Sequence, residues 1–315
     1  MPNDIITLTP PDALDKLYVL NLDTTIWSAC RKLTASDFDS ENQLPPSALA
    51  SLGFKKICDP AHMAVFSRLK ARAVSLLDRH AVRFLGGWAV PSTKVDGILD
   101  GLKAIKDEFY TEKTLFLQNY DRLIAEWISK YEVWREFLAS STVSADYVAQ
   151  RLTFSWQLFR VKSSEVDSTL DESLSDLGNK LFSEIAKDAA DIWSRVYEGK
   201  MEVTHKALSP LLTLREKLKG LSFVSPHAMP VISIMDTVLG GVPNKGKYIA
   251  GQSLLNLQGL VCLLKDKQAL LKQAEAMQNT SNAQRTLNTI VSSFSPNKQT
   301  VVPVTPACLN SGGLW

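Results

Sequence analysis

Cysteine is scarce in this chain of 315 residues: Cys30, Cys58, Cys262 and Cys308 stand far apart, and no two form a CxxC pair. That spacing argues against a disulfide-stapled secreted scaffold and a four-cysteine zinc site, and it predicts a reducing, cytoplasmic setting. Net charge is nearly absent too, at +2 from 35 basic and 33 acidic residues. A dedicated DNA-binding domain carries a stronger positive field, so composition leaves nucleic acid open without pointing to it. No run of about 18 uncharged apolar residues occurs. Met1-Pro2-Asn3-Asp4 has neither a basic flank nor an apolar stretch behind it, so neither a spanning helix nor a cleaved signal peptide is expected. GxSxG, HExxH and repeated carboxylate motifs are missing as well. Their absence lowers the expectation of a common hydrolase or metalloenzyme and predicts a protein with no catalytic residues, cofactor or metal.

Proline is missing between Pro91 and Pro210, and proline is the residue that breaks helices. Within that stretch Val95, Ile98, Leu102, Ile105 and Phe109, then Phe116, Tyr120, Leu123, Trp127, Tyr131, Trp134 and Leu138, recur at spacings of three and four. The spacing predicts one nearly continuous helix over 96–139, opened by the capping box of Thr93 to Asp96, and at 1.5 Å per residue it would be a rod of roughly 65 Å. Further helical patterns run through Val148, Leu152, Trp156 and Phe159, and from Val166 to Val196 past a second capping signature at Ser164 to Asp167. Consecutive rods cover their apolar stripes most simply by antiparallel packing. The expected fold is therefore mainly α, an elongated antiparallel helical bundle or coiled coil over 93–278.

Residues 1–92 differ in character and predict an α/β cap. Leu17 to Trp27 is rich in β-branched and aromatic residues and reads as a strand, as does Ala81 to Pro91 with its Gly86-Gly87 pair, giving a small N-terminal strand pair. Between them Asp59-Pro60 supplies an N-cap and an N1 proline for a helix through Leu77. Residues 229–264 read as an apolar helical hairpin. Acidic residues stop at Glu275, and the Ser, Thr, Asn and Pro-rich stretch 279–315 reads as a flexible tail.

Few constellations carry chemistry. Gly241 to Lys247 fits the first seven positions of a P-loop, but Tyr248 stands where a small hydroxyl should hold magnesium, and Pro243 removes an amide. A glycine-rich turn is the better reading. Cys58 and His62 lie one helical turn apart, yet two ligands do not make a zinc site, and His80, His205 and His227 are isolated. The stripe Phe116, Tyr120, Trp127, Tyr131, Trp134 invites base stacking; its helical spacing and mixed charged flanks favour core packing.

Leu22 to Leu33 with Trp27, Leu44-Pro45-Pro46, Leu52-Gly53, Tyr120-Asp121 with Trp127, and above all Val82 to Pro91 resemble the bacterial domain-of-unknown-function family 3150. The resemblance covers most of residues 15 to 265. It implies a protein encoded on mobile elements or phages, often near a MoxR-type AAA+ ATPase and a von Willebrand factor A protein, and it brings no catalytic residues. The expectation is a non-enzymatic helical interaction protein, an adaptor or scaffold for that ATPase system, with a homo-oligomer left open. The alternatives are a DNA-associated accessory and a helical, pore-former-like membrane protein, the latter disfavoured because Asp236, Lys245 and Lys247 interrupt the apolar hairpin. Phe84, Gly86, Gly87 and Trp88 are the candidate interaction or junction residues. Paired glycines in an apolar strand favour a packed junction, whereas an exposed Trp88 would favour docking.

Overall fold

The computed structural model describes residues 14–34, 53–162, 169–243 and 246–279. The Leu44-Pro45-Pro46 motif, Leu52, the Ser164 to Asp167 signature, Cys308 and the tail from residue 280 onward lie outside the described residues. The described residues form eight strands: β1 (Leu17–Thr25), β2 (Cys30–Lys32), β3 (Phe54–Lys56), β4 (Val82–Phe84), β5 (Gly87–Pro91), β6 (Thr153–Phe159), β7 (Glu202–Thr204) and β8 (Tyr248–Ala250). The helices used below are α1 (Ala64–His80), α2 (Val95–Gln118), α3 (Tyr120–Ser129), α4 (Arg135–Ala139), α5 (Ala145–Gln150), α6 (Thr169–Ile192), α7 (Leu208–Gly220), α8 (Ala228–Gly240), α9 (Gly251–Leu264) and α10 (Lys267–Asn279).

The organising element is a four-stranded antiparallel sheet in the order β4-β5-β1-β6, with β2-β3 and β7-β8 as separate two-stranded ribbons. Strand side chains alternate between faces. Leu17 and Val19 of β1, Val82 and Phe84 of β4 and Ala89 of β5 therefore join one core, packed with Leu181 and Ile185 of α6, Leu214 and Leu218 of α7, Met235 of α8, Val261 of α9 and Leu270 of α10. Leu20, Trp88, Val90 and Phe154 join the other core, with Phe66, Leu69 and Leu77 of α1 and Leu102 and Phe109 of α2. The sheet thus lies between two helical layers. Past Val19 the first face of β1 and β6 turns polar and exposed, through Asn21, Asp23, Thr25, Ser155 and Gln157, as an antiparallel sheet with one solvated face allows.

The expected elongated bundle or coiled coil is overturned: the fold is mixed α/β. The main cause is β6. Leu152 and Trp156 sit four apart and mimic a helix, but Thr153 to Phe159 is a strand paired along β1 from Val19↔Phe159 to Thr25↔Thr153. The expected rod over 96–139 also divides. α2 stops at Gln118, where the Asn119 side-chain amide donates to the Leu115 carbonyl at 2.8 Å. Such local bonding competes with helix continuation. A second break follows α3, where Tyr131 takes φ −130° and ψ 64° before a turn and the short α4. The apolar segment 229–264 holds α8 and α9 with β8 between them, and no described helix is long and apolar enough to cross a membrane.

Candidate functional site

The residues singled out on the glycine-tryptophan segment form the β4–β5 hairpin. Its turn is Leu85-Gly86, with φ of 47° and 76°, the double positive-φ geometry that fits the twist of flanking strands. Phe84 is buried in the first core. At Gly87 a Cβ would lie 2.4 Å from the Leu20 carbonyl oxygen, so β5 approaches β1 more closely than any side chain permits. Trp88, only 4% exposed, packs in the second core. Its indole N–H donates to Asp78 Oδ1 at 2.7 Å, and the Arg83 guanidinium lies 3.6 Å from the ring centre.

A polar network continues from there. Lys217, 2% exposed on α7, donates from Nζ to the Asp78 carbonyl at 2.7 Å and to Glu184 Oε2 at 2.8 Å. The other oxygen of Glu184 accepts the Arg83 backbone N–H at 3.2 Å. This carboxylate from α6 caps the open edge of β4, which would otherwise be a template for another strand. Burial raises the Asp188 carboxyl, partly countered by Lys217 and reinforced by Glu184. The network joins α1, α6, α7 and the hairpin.

His80, in the last turn of α1, titrates below the ordinary histidine value, first because of burial and then because of Lys94, Arg79 and Lys217. A lowered folded-state pKa gives stability that is full above the ordinary histidine range and lost as pH falls through the lowered value. Thermal stability is therefore expected to decline below about pH 6.5, and His80→Gln should flatten that decline. Asp188, whose carboxyl is raised, acts in the opposite sense, and it is common to both proteins, so the wild-type comparison with His80→Gln isolates the imidazole. Equal pH slopes for the two proteins would contradict the assignment.

The remaining sequence candidates are dispersed. Cys58 is buried and its thiol is pushed up to about 11 by burial and the neighbouring Asp59. Among the described residues no three His, Cys, Asp or Glu side chains are placed to hold a metal. Asn244 and Lys245 of the glycine-rich segment lie outside the described residues; a helix precedes Gly241 and strand β8 comes after Gly246, the reverse of the strand, loop and helix order that cradles phosphate.

The aromatic stripe divides into two parts. Phe116 and Tyr120 are buried, as core packing predicts. Beyond them the chain turns a corner and exposes Tyr131 (44%), Val133 (91%) and Trp134 (59%). The β2–β3 ribbon packs beside this corner: Trp127 Nε1 donates to the Lys56 carbonyl at 3.2 Å, and Lys55 Nζ sits 4.3 Å from the Phe137 ring centre. Phe54, at the far end of β3, is 72% exposed.

A family described as "Protein of unknown function (DUF3150)" matches residues 14–266. No curated protein and no solved structure matches the chain.

Proposed function

The chain belongs to the DUF3150 family, and within it we propose a non-enzymatic interaction protein whose docking surface is the exposed corner formed by Tyr131, Val133 and Trp134. The observation that carries this reading is the exposure of a tryptophan and a valine on a corner anchored to a neighbouring ribbon. Contiguous exposed apolar side chains mark association surfaces, and tryptophan is among the residues that most often dominate binding energy. The resemblance supplies the partner: a MoxR-type AAA+ ATPase with a von Willebrand factor A protein, in the cytoplasm of a bacterium carrying the mobile element. Trp134→Ala is expected to weaken such a complex by about 30-fold or more while leaving the melting temperature nearly unchanged. Quantitative co-purification with the ATPase in its nucleotide-bound state measures this. Undiminished binding would remove the corner as the docking surface.

A second reading rests on the β2–β3 ribbon, where the exposed cations Arg31, Lys32 and Lys56 occupy three of six positions beside these aromatics. Single-stranded nucleic acid is bound by cations interleaved with stacking rings. Affinity for a single strand should then fall steeply with salt, and no binding at low salt would end this reading.

A further inference from the structure

A cleft of about 390 Å³ opens between the β2–β3 ribbon and the segment leading into α5, a volume within the range of small-ligand sites. Its apolar floor is Trp27 and Ile57, 4% and 2% exposed. Trp27 is held by an edge-on contact with Tyr120, ring centres 6.1 Å apart. The indole N–H of Trp27 makes no hydrogen bond to another described residue and is not fully buried, so it is accessible to a small molecule. The walls add Cys30, Arg31 and Tyr147.

Arg31 is the informative wall residue. Among the described residues it makes one long hydrogen bond, Nη1 donating to the Ser141 carbonyl at 3.4 Å, and no carboxylate there pairs with it. Ser144 Oγ already accepts the Tyr147 N–H at 3.3 Å, which leaves its own proton free to donate. The rim therefore presents a planar cationic fork and a hydroxyl donor, and the floor presents the accessible edge of an indole with an unspent N–H. A guanidinium fork matches carboxylate and phosphate geometry.

We propose that this cleft binds a small organic anion, a carboxylate or phosphate carried on a flat apolar group, with the anion on Arg31 and the apolar group on Trp27. The site is independent of the docking corner, so either reading can fail alone.

Cys30 provides the reporter, since it is a free, partly exposed cysteine among the residues that line the cleft. Iodoacetate and iodoacetamide both alkylate a thiolate, forming an S–C bond and releasing iodide, but only iodoacetate carries a carboxylate. The rate ratio of iodoacetate to iodoacetamide at Cys30, read by peptide mass spectrometry, is expected to exceed that of N-acetylcysteine by about tenfold. Arg31→Met should abolish the excess, and Arg31→Lys should restore part of it. Millimolar benzoate or phenyl phosphate should slow alkylation by iodoacetamide, whereas the neutral isostere benzamide should not. Protection by benzoate alone assigns a carboxylate ligand, and protection by phenyl phosphate alone assigns a phosphate. The proposal is overturned by a wild-type ratio equal to that of N-acetylcysteine, by protection from benzamide equal to that from the anions, or by protection from neither anion. The wild-type comparison needs no variant to fold.

Discussion

Gly87→Val is expected to destabilise the protein by about 3 kcal/mol or more, the upper part of the range for overpacked interiors. The reason lies in what the added atoms would meet. The nearest groups to a Cβ at this position are the Leu20 carbonyl oxygen at 2.4 Å, its carbonyl carbon at 3.1 Å and the Asn21 Cα at 3.4 Å. All three are backbone, so no side chain can rotate away, and β5 would have to separate from β1 at the centre of the sheet. Melting should fall by roughly 10 °C. Gly86→Val is the internal comparison: nothing lies within 4 Å of its Cβ, and the only penalty is a φ of 76°. That strain costs about 1 to 3 kcal/mol, so calorimetry should rank Gly86→Val as the milder change. A Gly87→Val protein that melts with the wild type would show that the two strands can separate freely.

Glu184→Ala is expected to cost about 3 kcal/mol, because it leaves the Lys217 ammonium buried with only the Asp78 carbonyl as acceptor and strips the cap from the β4 edge. Removing the stranded charge should recover part of the loss. Glu184→Ala combined with Lys217→Met is therefore expected to be more stable than Glu184→Ala alone, by about 1 kcal/mol in denaturant titration. Strictly additive losses would mean that the pair is not coupled, and that the lysine gains its stability from its stem rather than its charge.

Much of the N-terminal half was legible residue by residue. Leu17 to Trp27 reads as a strand and β1 spans Leu17–Thr25. Asp59 caps its helix by accepting the Ala61 N–H, with Pro60 in the first turn, as the dipeptide implied. The error at β6 has an identifiable cause. Phe154, Trp156 and Leu158 alternate with Thr153, Ser155 and Gln157, a clean two-residue period facing the second core. The four-residue step from Leu152 to Trp156, inside a long proline-free stretch, outweighed it. Proline absence permits helix without requiring it.

The aromatic corner was misjudged for a related reason: periodicity continued through Trp134 although the helix did not, so spacing alone could not show that Tyr131 and Trp134 leave the core. The cleft matches no sequence motif. Its lining comes from three separated stretches, around Trp27 to Arg31, at Ile57, and from Thr142 to Tyr147, and only the fold brings them together. The one available signal was local, an arginine without an acidic neighbour in the β2–β3 ribbon.

The position of β1 in the sheet also sets a schedule for synthesis. The Ser155 hydroxyl that reaches the Asp23 carbonyl lies 132 residues downstream of it. At roughly 5 to 20 residues per second, a ribosome takes about 7 to 26 s to cover that distance. Through that interval β1 can pair with β5 on one side, while its other edge waits for β6. A waiting edge invites pairing with a neighbouring nascent chain. Asp23, at the middle of the polar positions of that late-paired half, places a charge on the strand while it waits for β6.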